Sequence, residues 1–141
     1  MGYTGRCSCG AVEVRIDGQP IAVRQCWCGR CQKIAAGGPT HNAIFRTDDI
    51  VVEGVTASDS YVADSGNTLT RSHCPTCGTP MFSGSSARPQ MRVVRLGVLD
   101  QPHDLKPTMA IWTSEAPEWA IIDPAMEAFP AQPPAPPSPQ S

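Results

Sequence analysis

Seven cysteines are the residues of this 141-residue chain whose type and spacing could do chemistry. They form a C-x-C pair, a C-x-C-x-x-C group and a C-x-x-C pair: Cys7 and Cys9; Cys26, Cys28 and Cys31; Cys74 and Cys77. Zinc takes four tetrahedral ligands, and closely spaced thiolates can reach one ion from a tight loop. The pattern therefore predicts zinc binding, with two ions per chain and no thiol left over.

The first and last pairs can complete one four-thiolate site. Gly10 and Gly78 each follow a pair, and glycine permits the positive φ that such turns often need. A closed site of this type is structural, and it would tie the first strand to a late loop. We therefore expect four cysteines to be required for folding: Cys7, Cys9, Cys74 and Cys77.

The central group has three cysteines and no fourth ligand beside them. Three protein ligands and an open position are typical of a catalytic zinc. Arg30, which lies inside the group, could offset the negative charge of three thiolates. A closed second site is the alternative, with His41 approaching from beyond the Gly37-Gly38-Pro39 loop as the fourth ligand.

Other chemistries remain open at this point. A redox dithiol of the thioredoxin type needs a βαβ context, which the pattern does not show. Iron in a four-cysteine site is chemically possible, whereas an iron–sulfur cluster would leave three cysteines unexplained. His73 is the other candidate for the fourth ligand of a closed second site, but it adjoins Cys74 and is expected near the first site or facing solvent. His103 lies in a polar segment and is not an expected ligand.

The elements that must position these groups are short strands. Val12, Val14 and Ile16 alternate with charged residues, which predicts a half-buried strand. Residues 91–99 alternate in the same way, and residues 32–36 suggest one helical turn. Further strand candidates are residues 21–25, 41–45, 50–53, 58–62, 69–72 and 109–113. No segment keeps a helical period over three turns, so the fold class is mostly β.

Composition and charge argue against several classes of function. The net charge is −2, the pI is near 5.8 and no basic stripe occurs, which argues against a nucleic-acid partner. The sequence contains no run of 18 or more apolar residues, so no membrane span is predicted. The start of the chain does not have the pattern of a signal peptide. We therefore expect a cytoplasmic protein, in which reducing conditions favour metal ligands over disulfides.

Residues 124–141 differ from the rest of the chain, since six of the last twelve residues are proline. Such a composition favours extended, unpacked backbone. The predicted organisation is a zinc-binding β domain over residues 1–123 and a Pro-rich disordered tail over residues 124–141.

Four runs together resemble the glutathione-dependent formaldehyde-activating enzyme family, also called the centromere protein V family. They are GRCSCGAV at residues 5–12, CWCGRCQK at 26–33, CPTCGTPMF at 74–82 and MAIWTSEAPEW at 109–119. The resemblance covers about residues 3–123. It implies a β-tent of small stacked antiparallel sheets with zinc-binding loops. It also implies a structural zinc on Cys7, Cys9, Cys74 and Cys77, and an exposed zinc on Cys26, Cys28 and Cys31.

The implied activity is that of a zinc-dependent carbon–sulfur lyase. Its substrate would be an adduct of glutathione, or another small thiol, with formaldehyde or a related aldehyde.

The family usually has histidine where this chain has Trp27. The alternative is a non-catalytic, zinc-stabilised binding module in which both zincs are structural; a nucleic-acid-binding zinc ribbon is disfavoured by the acidic pI. We expect a monomer or a weak homodimer.

Overall fold

The fold is built from short strands, and the computed structural model describes residues 2–134. The strands are β1 (Gly2–Arg6), β2 (Glu13–Asp17), β3 (Ala22–Cys26), β4 (Thr40–Arg46), β5 (Ile50–Glu53), β6 (Ala57–Val62), β7 (Thr68–His73), β8 (Pro80–Ser85), β9 (Met91–Arg95), β10 (Met109–Ile111) and β11 (Glu127–Ala128). One α-helix, α1 (Gly29–Ile34), follows β3. The predicted mostly β fold class is confirmed.

The strands form two sheets. β1, β2 and β5 make an antiparallel three-stranded sheet in the order β1-β2-β5. The other eight make a second sheet in the order β11-β10-β3-β4-β9-β8-β7-β6. That sheet is antiparallel from β3 to β6, while β10 pairs in parallel with both β3 and β11.

The two sheets share one apolar core. Val14 and Ile16 of β2 are buried while Glu13, Arg15 and Asp17 are exposed, as their alternation predicts. The same cluster contains side chains from the larger sheet: Val23, Ala43, Phe45, Phe82 and Val94. Since apolar side chains from both sheets lie in one cluster, the small sheet covers one face of the large one.

Polar side chains cluster on part of the other face of the large sheet, where β3, β4 and β9 pair. Cys26 of β3 lies opposite Thr40 of β4, and Arg24 lies opposite Asn42. Asn42 in turn lies opposite Arg95 of β9. Side chains of directly paired residues project to the same face of a sheet. We call this surface, with Arg24, Cys26, Thr40, Asn42 and Arg95, the thiol face.

Two predicted strands end earlier than expected. The segment 91–99 leaves the sheet at Arg95 and continues as a 3₁₀ turn, Leu96–Val98. This turn carries Leu99 to an isolated bridge with Gly5 of the small sheet. The segment 109–113 ends at Ile111, because Trp112 takes a left-handed conformation with φ of 56°. Among residues 2–134, no helix is long and apolar enough to cross a membrane.

The hydrogen-bonded backbone extends past residue 123. β11 pairs with β10, and the amides of Trp112 and Thr113 donate to the carbonyls of Ala131 and Phe129. Backbone pairing needs no apolar side chain, so a segment of this composition can still join the edge of the sheet. Residues 135–141 of the predicted tail lie outside the described residues.

Candidate metal centres

Four thiols converge between the first and last cysteine loops. The sulfur atoms of Cys7, Cys9, Cys74 and Cys77 all lie within 4.8 Å of one another. The Cys7–Cys9 sulfur distance is 3.7 Å, and the Cys9–Cys74 distance is 3.8 Å. A tetrahedron with zinc–sulfur bonds near ~2.3 Å has edges of about 3.8 Å. The four sulfurs therefore fit a tetrahedral, thiolate-binding ion of the size of zinc.

Two backbone turns hold these sulfurs. The amide of Cys7 donates to the carbonyl of Val12 over 3.0 Å, and the amide of Gly10 donates to the carbonyl of Cys7 over 3.1 Å. In the second turn, the amide of Gly78 donates to the carbonyl of Cys74 over 2.9 Å. Gly10 and Gly78 have φ values of +82° and +79°. Both glycines thus supply the left-handed backbone expected of them.

Backbone amides in these turns also stabilise negative charge on sulfur. The Val12 amide donates to the Sγ of Cys7 over 3.2 Å, and the Cys77 amide donates to the Sγ of Cys74 over 3.5 Å. Hydrogen bonds from the hydroxyl and amide of Thr79 lower the pKa of Cys77 to about 5. Metal binding requires the thiolate, so this local geometry favours the ligating form.

Three thiols converge on the thiol face. Cys26 ends β3, Cys28 caps the N-terminus of α1, and Cys31 lies in its first turn. Their sulfur atoms also lie within 4.8 Å of one another. Within residues 2–134, that group includes no histidine or carboxylate. Cys26 is buried, whereas Cys28 and Cys31 are partly exposed, so the cluster is accessible from one side.

The three central thiols lie close enough to shift one another's pKa. The neighbouring thiols of Cys26 and Cys31 lower the pKa of Cys28 to about 2, and the amides of Cys31 and Arg30 act in the same direction. The same neighbours, Cys28 and Cys31, raise the pKa of Cys26, and burial of this thiol adds to the effect. The cluster therefore holds one thiolate readily, and soft thiolate ligands select ions such as zinc.

A hydrogen-bonded chain crosses the thiol face beside this cluster. The Thr40 side chain acts to lower the pKa of Cys31, and its hydroxyl accepts from the Asn42 amide over 2.9 Å. The Oδ1 of Asn42 accepts from Nη1 of Arg95 over 2.6 Å. Outer groups of this kind orient metal ligands. Sequence reasoning did not find them, since only strand register brings these residues together.

Glu115 positions the loop that carries the central cysteines. Its Oε1 accepts from the amide of Gly29 over 2.8 Å, although 86 residues separate the two. Gln32 reinforces the contact, since its Nε2 donates to the carbonyls of Trp27 and Glu115 over 2.7 and 2.8 Å. The start of α1 is thereby fixed to the 3₁₀ turn Thr113–Glu115.

None of the three histidines joins a cysteine cluster. The Nε2 of His41 hydrogen-bonds Nε2 of Gln25 over 3.1 Å. His41 follows Thr40 along β4 and so projects to the face opposite the thiols. The alternative of His41 as a fourth ligand is therefore wrong for this conformation. His73 pairs with Ala57 in the β6–β7 ladder, and the Nδ1 of His103 accepts from the Leu105 amide.

Trp27 is also directed away from the thiols. Its side chain is 3% exposed, and its Nε1 donates to the Oε1 of Gln25 over 2.9 Å. Gln25 alternates with Cys26 along β3 and lies on the core side of the sheet. The tryptophan therefore fills the interior and leaves the three thiols unobstructed.

Comparisons with known proteins agree with this arrangement. A crystal structure of a Rhodobacter sphaeroides protein matches with a TM-score of 0.56 and 24% identity, covering 71% of this chain and 90% of that one. At this identity the match supports the fold alone. No curated protein matches the chain. The family model described as glutathione-dependent formaldehyde-activating enzyme matches residues 2–115, and the chain belongs to that family.

Proposed function

We propose that the protein is a zinc-dependent carbon–sulfur lyase-like enzyme. Its substrate would be the adduct of a small thiol, such as glutathione, with formaldehyde or a related aldehyde. The observation that carries the proposal is the central cluster, whose three thiols meet at one point without a fourth protein ligand among residues 2–134. Family membership supports the same chemistry.

The two clusters would hold different zinc ions. A structural ion would be bound by four thiols: Cys7, Cys9, Cys74 and Cys77. The second ion would be bound by three: Cys26, Cys28 and Cys31. When bound there, zinc would supply an open coordination position and lower the pKa of a thiol that occupies it.

The chain's own groups would prepare the second site. The amide of Cys31 donates to the Sγ of Cys28 over 3.4 Å, which holds that sulfur in place, and the Thr40 side chain acts to lower the pKa of Cys31. Partial exposure of Cys28 and Cys31 gives a small thiol access. In adduct breakdown, the carbon–sulfur bond would break with its electron pair going to sulfur, and the hydroxyl proton would pass to water as the carbonyl forms.

Cobalt substitution tests the proposal, because cobalt–thiolate absorption reports on the ligands directly. We expect glutathione to change the spectrum of the cobalt-loaded full-length protein saturably at millimolar concentration. The Cys28→Ser variant should retain the spectrum of the four-cysteine site and lose this response. If the wild-type spectrum does not respond, the protein is better described as a non-catalytic binding module with two structural zincs.

A further inference from the structure

Two arginines on the thiol face lack an anionic partner. Arg24 is only 7% exposed, and the Nε atoms of Arg24 and Arg95 are buried without a hydrogen-bond partner within residues 2–134. The ion pairs in that part of the chain join Arg6 to Asp100 and Arg71 to Asp59. A buried charge without compensation is costly, so retention of two such groups on one face indicates an anion from outside the chain.

Both arginines lie beside the central cysteines. Arg24 precedes Cys26 by two positions on β3 and therefore projects to the same face. Arg95 donates to Asn42, and Asn42 donates to Thr40, which is the residue that pairs with Cys26 across β3 and β4. Burial lowers the pKa of Arg95, and its attraction to Cys31 and Cys26 acts in the opposite direction. Its guanidinium is thus within electrostatic reach of the thiols.

Charge compensation of the thiolates does not account for all of the positive charge. A divalent ion with three thiolates carries one net negative charge, which a single guanidinium would offset. Arg30 lies between Cys28 and Cys31 in the sequence and stacks on the Tyr61 ring at 3.6 Å, and Arg71 lies 5.2 Å from the same ring. Because the charges of Cys28 and Cys31 also act on Tyr61, both arginines add to the positive charge near the cluster. Asp59 pairs with Arg71 through a 2.6 Å contact, and the Glu115 carboxylate accepts from the Gly29 amide beside Cys28. Four arginines then face three negative charges, those of Asp59, Glu115 and the loaded cluster, so one positive charge stays unmatched.

We propose that the thiol face selects anionic thiols, with Arg95 and Arg24 binding a carboxylate of the molecule whose sulfur enters the central site. The inference rests on the proposed function, and it adds the two residues that recognise the charge of such a thiol. A planar guanidinium offers paired donors that match a carboxylate. Arg95 already uses Nη1 on Asn42, which fixes the orientation of the group toward an incoming ligand.

The test compares two thiols that differ only in charge: 3-mercaptopropionate and its neutral analogue 3-mercaptopropionamide. Each is titrated into the cobalt-loaded full-length protein, and the ratio of the two dissociation constants is measured in each variant. We expect the wild type to bind the acid about tenfold more tightly, as one charge-assisted contact allows. Arg95→Met and Arg24→Met should each reduce the ratio, and Arg95→Lys should retain part of it.

Arg15→Met is the matched control, because Arg15 is exposed on β2 of the small sheet. Any intrinsic preference of cobalt for one thiol cancels when variants are compared. A ratio near one in the wild type overturns the inference, and so does a ratio that both arginine variants leave at the control value. Lower cobalt affinity with an unchanged ratio also overturns it, since the arginines would then serve the metal cluster alone.

The two proposals fail in different ways. If neither thiol alters the cobalt spectrum, the proposed function fails and the inference falls with it. If both thiols bind equally, the open site stands and only the charge selection is lost. Should Arg95→Met not fold, the wild-type ratio and the Arg24→Met ratio still decide the question.

Discussion

The sulfur atoms of Cys9 and Cys74 lie 3.8 Å apart, although 65 residues separate the two cysteines in the sequence. An ion held between them would join the loop after β1 to the loop after β7. Structural zinc in small domains contributes an apparent binding free energy of roughly 10–16 kcal/mol. This is as large as the whole net stability of a typical domain, about 5–15 kcal/mol.

Cys74→Ser should therefore prevent folding. Cys74 is fully buried in the core cluster, so the variant loses both a ligand and its packing. Circular dichroism and thermal unfolding measure the loss. Cys28→Ser is the control, with an expected fall from two zincs per chain to one and retention of the fold. Equal loss of folding in both variants would contradict the division into a structural site and an open site.

The contents of each cysteine cluster could be predicted from the sequence because a metal-binding turn is local. Spacing and the adjacent glycines place two sulfurs of a pair side by side, and the number of cysteines suggests which pairs combine. The contact of Glu115 with Gly29 could not be predicted in this way. It depends on where β10 meets β3, and no local pattern encodes that register.

The strands also divide into those that the local sequence predicts and those that depend on contacts with distant residues. β2 was predictable because apolar and charged residues alternate along it in the sequence. β1 contains Gly2 and Gly5 and has no such alternation. Its place in the sheet follows from close approach instead: a Cβ on Gly5 would lie 2.4 Å from the carbonyl oxygen of Val98. The polar thiol face was likewise invisible in the sequence, since Arg24, Asn42 and Arg95 align only through pairing of β3, β4 and β9.

Trp27→His should lower stability without removing metal. The tryptophan is 3% exposed and donates to Gln25, so the smaller imidazole leaves a cavity and weakens that contact. We expect a loss of about 2–4 kcal/mol in the free energy of unfolding, measured with urea. Zinc content should stay at two per chain, because no ligand changes. Trp119→His is the control, since Trp119 is 68% exposed and its replacement should cost under about 0.5 kcal/mol. Similar costs for the two variants would refute the buried role of Trp27.

Stability should decrease on mild acidification through His41. Burial lowers the pKa of this half-buried imidazole below its ordinary value of 6.5. As the pH falls, the unfolded chain therefore binds the proton before the folded protein does. The stabilisation is fully present above the unfolded-state pKa of 6.5 and is lost as the pH falls from there to the lowered pKa of the folded state. The slope is limited to about 1.4 kcal/mol per pH unit for one proton.

Urea unfolding of the wild type and of His41→Gln between pH 7.5 and pH 5 (from about 1 unit above to about 1.5 units below an ordinary histidine pKa) checks this. Loss of zinc at low pH affects both proteins, so the difference between their curves isolates His41. We expect the wild type to lose stability relative to the variant as the pH falls. A flat difference, or one of opposite sign, would show that His41 is not held in its neutral form.

Gly54→Ala should disturb the first cysteine loop from outside it. Gly54 has a φ of +102°, and a Cβ there would lie 2.2 Å from the carbonyl oxygen of Ala11. Ala11 precedes Val12, whose amide donates to the Sγ of Cys7, so relief of the clash must move a sulfur-binding amide. We expect a loss of about 2–3 kcal/mol and faster zinc release to a chelator. Gly84→Ala is the control, because a Cβ at Gly84 would meet nothing within 4 Å. If Gly54→Ala releases zinc as slowly as Gly84→Ala does, the backbone approach at Ala11 does not support the loop.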